Sequence, residues 1–176
     1  MKLFEKLDQR YRDSSVWQFI KFNLISFSIT LLQLVLANIL LFFFDSLTVK
    51  LPPILQPIFD AKVLFQGESR YVVDGVVTWG YVLPFFLSNF IGNLYGYFAN
   101  MKVTFDGEGS SRSLSIYCAV VFILILISTW MQGRITSLLT DGPFSFLART
   151  IAACAAGMFQ FAVIFPLEKF VLFRKH

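Results

Sequence analysis

Four long apolar stretches, separated by polar or turn-forming residues, dominate the chain. Each is long enough to cross the hydrocarbon core of a bilayer as a helix, which takes about 20 residues. A Gly/Ser-rich loop, DGEGSSRS, separates the second stretch from the third, and Asp141-Gly142-Pro143 makes a tight turn before the fourth. The pattern predicts an all-α integral membrane protein of one domain, residues 1–176. Its four transmembrane helices are predicted at about residues 17–44, 76–98, 114–138 and 144–166.

The residues before the first apolar stretch have the pattern of a short amphipathic helix. Leu3, Phe4, Leu7 and Tyr11 recur at helical spacing among basic residues. The segment is therefore predicted to lie on the anionic inner surface of the membrane. A disordered tail whose charge only sets the topology is the alternative.

Residues 45–75 form the only sizeable segment outside the apolar stretches. Its LPPILQPIF sequence has too many prolines for a helix and is too apolar for a free loop, so we expect it to rest on the outer membrane surface. The following KVLFQGES resembles a viral-protease cleavage site. An engineered insertion is thus the alternative to native loop sequence.

Composition supports a membrane environment. Apolar residues make up 56% of the chain, 22 residues are phenylalanine and only 15% are charged, and the mean hydropathy is +0.67. A soluble domain of this length exposes far more charge. No cationic patch forms, because the basic residues are spread over helix ends and loops, and nucleic-acid binding is not expected.

The distribution of basic residues predicts the orientation. Placing both termini in the cytoplasm leaves five of the 15 Lys and Arg residues on the outer side: Lys50, Lys62, Arg70, Arg134 and Arg149. The other ten then lie on the inner side, as the positive-inside rule favours. We predict a multi-pass protein of the cytoplasmic membrane.

Polar side chains inside the apolar stretches mark candidate binding residues, because an unpaired polar group in hydrocarbon is costly. The second stretch has a stripe at spacing i, i+4, i+8 and i+11: Asn89, Asn93, Tyr97 and Asn100. A ladder of small residues that permits close helix approach runs beside it: Ser88, Gly92 and Gly96. The stripe indicates either a groove for sugar hydroxyls or a phosphate, or hydrogen bonding between helices.

The other apolar stretches also have polar residues. In the fourth, Arg149 lies near the outer boundary, and Gln160 lies eleven residues further on, on the same helix face. Arg149 either reaches out to the headgroups or anchors a phosphate in the groove. Shorter polar faces occur in the first and third stretches: Ser26, Thr30 and Gln33, and Ser128, Thr129 and Gln132.

The sequence gives no sign of catalysis. The only histidine is His176, and no Cys/His cluster or Gly-rich phosphate loop is present. We therefore expect neither enzymatic activity nor a bound metal or other cofactor. No acidic residue lies in the central part of an apolar stretch, which disfavours a small proton-coupled exporter.

The ends of the second and fourth stretches resemble each other. Residues 98–105 read FANMKVTF and residues 167–175 read LEKFVLFRK, so that in each a lysine precedes a phenylalanine by three or four residues. With its opening stretch, FIKFNLISFSITLLQLVL, the chain resembles the GtrA-like family of small four-span membrane proteins. In that family the second and fourth spans end in an Asn/Ser-Lys/Arg-aromatic-x-Phe type of motif. Three residues depart from the family pattern. Gly is usual at the position of Ser26, Asn at that of Ile29, and an amide or a small residue at that of Glu168.

The resemblance implies flipping of a polyprenyl-phosphate-linked monosaccharide across the cytoplasmic membrane, for the synthesis or modification of cell-surface polysaccharide. On this hypothesis the phosphate is held at the cytoplasmic leaflet by Lys102 and Lys169, with Lys21. The sugar is shielded by polar side chains of the spans: Asn89, Asn93, Asn100 and Gln160. Arg149 then receives the phosphate near the outer leaflet, and a homo-oligomer is expected because four helices enclose only a small path. The alternative is a non-transporting accessory subunit that anchors or stabilises a polyprenyl-phosphate glycosyltransferase.

Overall fold

The computed structural model describes residues 8–11, 14–61, 69–140, 143 and 147–173. Most of the predicted N-terminal amphipathic helix, most of KVLFQGES and the predicted turn at Asp141-Gly142 lie outside these residues. The described part contains four long helices: α1 (Ser15–Phe44), α2 (Trp79–Ala99), α3 (Ser111–Thr140) and α4 (Ala148–Pro166).

The described part of the chain is all-α except for one small hairpin and an isolated bridge between Lys50 and Thr78, and this confirms the predicted all-α class. Within the described residues, three helical segments are long and apolar enough to cross a membrane: Ser15–Phe44, Ser111–Leu139 and Thr150–Leu172. These segments indicate a membrane protein. Helix α2 is of similar length to α4 but richer in Gly, Asn and Tyr.

The helices pack as two antiparallel pairs, α1 with α2 and α3 with α4, and α2 also contacts α3. The glycine ladder of α2 allows the first pair to approach closely. A Cβ atom added at Gly92 would collide with the Gln33 side chain, and one added at Gly96 would collide with Ile29. The side chains of α1 thus lie directly on the backbone of α2.

A β-hairpin precedes α2. Strand β1 (Val72–Val73) pairs antiparallel with β2 (Val76–Val77), and Asp74 and Gly75 have positive φ angles of 49° and 76°. An Asp-Gly pair favours this two-residue turn between apolar residues, and VVDGVV is the sequence signal for it. Because Val76 and Val77 belong to the strand, α2 begins at Trp79, three residues after the predicted start.

The loop before the hairpin packs partly on the protein and partly faces outward. Leu51 and Phe59 of the LPPILQPIF segment are buried against Val77 and Val82, whereas Ile54 is 80% exposed. Leu55 and Ile58 also pack against this core. Ile54 and Val49 are the exposed large apolar side chains in the described part of the loop, and they are available to a membrane surface.

Gly80 lies where the end of α1 meets the start of α2. A Cβ atom at this position would lie 2.6 Å from the Leu47 carbonyl oxygen and 2.9 Å from that of Phe44. Because both are backbone atoms, neither can turn away. We expect Gly80→Ala to lower the free energy of unfolding by about 1–3 kcal/mol, measured by denaturant unfolding in detergent.

Gly157→Ala is the matched control for this prediction. A Cβ atom at Gly157 meets no atom within 4 Å, and alanine stabilises a helix relative to glycine by about 1 kcal/mol. The control should therefore be as stable as the unchanged protein or more so. Equal destabilisation by both substitutions would contradict the packing described at Gly80.

Helices α2 and α4 both continue into a turn of π-helix. The first π turn is Asn100–Thr104 and the second is Leu167–Leu172. The Phe105 N–H donates to the Asn100 carbonyl at 3.0 Å, and the Phe173 N–H donates to the Glu168 carbonyl at 2.9 Å. The Phe105 and Phe173 rings also pack together, with centroids 5.8 Å apart. The repeated sequence is therefore a repeated structure.

This structural repeat changes the alignment of the two motifs. Superposing the equivalent hydrogen bonds pairs Asn100 with Glu168 and Phe105 with Phe173. Lys102 then corresponds to Phe170, and Lys169 corresponds to Met101. The two lysines that the sequence comparison matched do not occupy equivalent positions.

Candidate functional site: a polar cavity among the four helices

A cavity of about 470 Å³ lies among the four helices. Along α1 it extends from Phe22 to Ala37. At about 1.5 Å per residue, this stretch covers about 22 Å of the roughly 30 Å hydrocarbon core. Its end near the two π turns, here called the lower end, is formed by Phe22, Asn100, Tyr117 and Ile164.

The cavity opens sideways. Four of its lining residues are exposed, and they lie on α1 and α4: Thr30, Leu34, Ala153 and Gly157. The lining residues of α2 and α3 are buried or half-buried, so these two helices form the back wall. The opening therefore lies between α1 and α4, next to the apolar surfaces of both helices.

Aromatic side chains bring α1 and α4 together at the lower end. The Phe22 ring meets the rings of Phe161 and Phe165 edge to face, with centroids 4.9 and 5.1 Å away. Phe19 makes similar contacts with the same two rings. Edge-to-face geometry at this separation is favourable for aromatic pairs, and it holds this end of the two helices in contact.

The structure brings the four predicted amide residues to this one cavity: Asn89, Asn93, Asn100 and Gln160. The Asn89 side-chain N–H donates to the Phe85 carbonyl at 2.8 Å, and that of Asn93 donates to the Asn89 carbonyl at 2.9 Å. The side-chain nitrogens of Asn89 and Asn93 thus donate hydrogen bonds to the backbone of their own helix. No described residue donates to the amide oxygen of Asn89 or Asn93, so both oxygens are available to hydroxyl donors.

Polar residues of the other helices complete the lining. Gln160 donates to the Ser128 hydroxyl at 2.6 Å, and Gln33 donates to the Asn89 carbonyl at 3.4 Å. The sequence placed Gln33 and Ser128 on polar faces of their helices but did not include them among the candidate binding residues. Periodicity identifies a polar face, whereas only the packing shows that the faces of four helices meet.

The lower end has its own hydrogen-bond network. The Thr104 hydroxyl donates to the Asn100 side-chain oxygen at 3.0 Å. The Tyr117 hydroxyl donates to the Asn93 carbonyl at 2.9 Å, and the Tyr97 and Ser113 hydroxyls are 2.8 Å apart. These bonds satisfy polar groups that are otherwise removed from water.

The lining of the cavity is uncharged and combines apolar surface with amide and hydroxyl groups. Among the described lining residues are amides, hydroxyls and apolar side chains, with no Asp, Glu, Lys, Arg or His. Moving an ionised ligand into such a site removes its hydration without an opposite charge to compensate. The arrangement favours a neutral ligand with several hydroxyl groups.

The predicted lysines lie outside the cavity. Lys21 is 2% exposed and makes an ion pair with Asp8, with 2.8 Å between nitrogen and oxygen. Lys169 donates to the Ser15 hydroxyl at 2.7 Å. Lys102, in the first π turn, is exposed and makes no hydrogen bond or ion pair with a described residue.

Arg149 is the second residue of α4, and its side chain is outside the described part of the chain. Whether it faces the cavity thus stays a prediction.

No protein-family model, curated protein or solved structure matches the chain.

Proposed function

We propose that this protein flips a polyprenyl-phosphate-linked monosaccharide across the cytoplasmic membrane. The observation that carries the proposal is the long, uncharged, amide-lined cavity that opens sideways between α1 and α4. A sugar on a lipid carrier needs such an opening, because its prenyl chain must stay in the bilayer while its hydroxyl groups cross.

The lining suits the sugar better than the phosphate. The amide oxygens of Asn89 and Asn93 accept hydrogen bonds from hydroxyl groups, and each such bond contributes about 1 kcal/mol. The charged phosphate would lie outside the cavity at the cytoplasmic boundary when the sugar enters, and it would then cross the membrane together with the sugar. In this proposal the exposed Lys102 binds it at the cytoplasmic boundary as a charge-assisted donor.

The proposal includes a fourth membrane crossing. Helix α2 has 21 residues, which at about 1.5 Å per residue reach about 30 Å, the thickness of the hydrocarbon core. Its asparagines face the cavity, and its glycines face α1. A helix whose polar face is covered in this way can cross the bilayer despite its composition, with both termini in the cytoplasm.

The direct test uses the purified full chain in proteoliposomes. A fluorescent polyprenyl-phosphate monosaccharide is placed in both leaflets, and the fraction accessible to a membrane-impermeant quencher or sugar-oxidising reagent is followed over time. We expect nearly all of the probe to become accessible with the protein, and about half without it. Unchanged accessibility would favour the alternative role as an accessory subunit, which predicts co-purification with a polyprenyl-phosphate glycosyltransferase.

Lys102 is the residue with which to test the phosphate contact. We expect Lys102→Gln to reduce the initial flipping rate at least tenfold, because a hydrogen bond to a charged group contributes about 1.5–3 kcal/mol. Arg112→Gln is the matched control, since Arg112 is also exposed and lies in the first turn of α3. Equal rates for the two variants would remove Lys102 from the substrate site.

A further inference from the structure

A carboxyl group is buried beside the lower end of the cavity, and the proposed function gives it no role. Glu168, in the second π turn, is 0% exposed. Neither of its carboxyl oxygens has a hydrogen-bond partner among the described residues. An ionised carboxylate in these surroundings would lose its hydration with nothing to replace it, which is strongly unfavourable.

The equivalent residue of the first π turn shows what Glu168 lacks. Asn100 receives a hydrogen bond from the Thr104 hydroxyl within its own turn. The residue equivalent to Thr104 in the second turn is Leu172, whose side chain has no hydrogen-bond donor. With the same backbone geometry, the amide oxygen of Asn100 accepts a hydrogen bond in the first π turn, whereas the carboxyl group of Glu168 accepts none in the second.

Among the residues that the structure describes, no cation of the surrounding elements makes an ion pair with this carboxyl group. Near this end, the titratable or charged groups of these elements are Lys21 of α1, Tyr95 and Tyr97 of α2, Lys102 of the first π turn, Arg112, Tyr117 and Cys118 of α3, and Lys169 of its own turn; Tyr95 and Arg112 are exposed. Lys21 is paired with Asp8 and Lys169 with the Ser15 hydroxyl, and Lys102 is exposed. The Tyr97 hydroxyl is hydrogen-bonded to the Ser113 hydroxyl, and the Tyr117 hydroxyl donates a hydrogen bond to a backbone carbonyl.

We propose that Glu168 is a proton-binding site that controls the closed state of the lower end. The carboxyl group holds a proton while the two π turns are packed together, and it gives this proton to water when they separate. Asn100 and Tyr117 line the lower end, and Asn100 is the residue of the first π turn that is equivalent to Glu168. The Phe105–Phe173 contact is the packing that must open. This site stands independently of which ligand enters the cavity.

Infrared spectroscopy of the full chain in lipid bilayers tests for the proton. At neutral pH we expect the C=O stretch of a protonated carboxylic acid, lost in Glu168→Gln and retained in Glu108→Gln, whose carboxyl group is on an exposed loop residue. If Glu168→Gln does not fold, Glu168→Asp keeps the acid and should shift the band. Absence of the band in the unchanged protein, or its persistence unaltered in the Glu168 variants, would overturn the proposal.

Thiol labelling tests the link to packing. Thr104, 1% exposed in the first π turn, is replaced by cysteine in a chain that also has Cys118→Ala and Cys154→Ala. Its rate of reaction with a small maleimide is measured against pH, with and without Glu168→Gln. The thiolate fraction affects both rates alike, so their ratio reports opening. We expect the chain that retains Glu168 to react at the same rate as the Glu168→Gln variant in acid, and at least ten times faster than it in alkali. A ratio of these two rates that does not change with pH would overturn the coupling.

Discussion

Replacing Gly157 with tryptophan is expected to abolish flipping in the proteoliposome assay while the protein still folds. Gly157 lies at the opening of the cavity, and a Cβ atom there meets no atom within 4 Å. A tryptophan side chain can therefore start from this position without displacing the backbone. Its indole ring would fill a large part of the opening between α1 and α4, and a bound sugar would have to displace it. We expect the initial rate to fall at least a hundredfold.

Two controls separate a blocked cavity from a damaged helix. Met158→Trp adds the same side chain one residue further along, at a position that is 73% exposed and not among the cavity lining. Gly157→Ala alters the same position without filling the opening. Both controls should flip the probe at the rate of the unchanged protein. Undiminished flipping by a folded Gly157→Trp variant would mean that the sugar takes another route.

The positions of the helices and of the amide stripe could be predicted because they depend on local patterns. Apolar stretches of about 20 residues give spanning helices, and a repeat of about 3.6 residues puts Asn89, Asn93 and Asn100 on one face. The cavity of the structure contains these same residues. Local pattern does not reveal which face of α3 or α4 meets them, so Ser128 was recognised as polar but not as a partner of Gln160.

The burial of Glu168 could not be predicted from the local sequence. In the sequence it sits at the end of an apolar stretch beside Lys169, a place typical of a solvated boundary residue. In the structure the chain continues through a π turn after Pro166 and packs against the first π turn, which buries Glu168 completely. The sequence-based argument against proton coupling considered only the central part of each stretch. A buried carboxyl group at the end of an apolar stretch can also bind and release a proton.

Lys21 illustrates the same limit for an ion pair. The hypothesis based on the family resemblance had Lys21 help Lys102 and Lys169 to hold a lipid phosphate. The structure pairs it instead with Asp8, 13 residues earlier, and the same carboxylate also accepts a hydrogen bond from the Trp17 indole. Asp8 lies before the start of α1, so the periodicity of α1 could not indicate this partner. A buried, paired lysine is a weaker candidate for binding phosphate than the exposed Lys102.

Asn89→Leu is expected to lower the flipping rate about tenfold without lowering stability. Leucine closely matches asparagine in size, and the only described hydrogen bond of the Asn89 side chain is to the Phe85 carbonyl of its own helix. The substitution therefore removes little that supports the fold. It does remove an amide oxygen from the residues that line the cavity, and leaving a buried sugar hydroxyl without its partner costs about 1–3 kcal/mol.

Asn38→Leu is a close control, because the Asn38 side chain makes the same type of bond to the Leu34 carbonyl, at 2.8 Å. Asn38 is exposed and does not line the cavity. Initial rates and thermal unfolding of both variants are measured in the same lipid. A slower rate for Asn89→Leu with equal unfolding temperatures assigns the effect to the cavity, because both variants exchange an asparagine for a leucine within an apolar helix. Equal rates would show that the Asn89 amide takes no part in flipping.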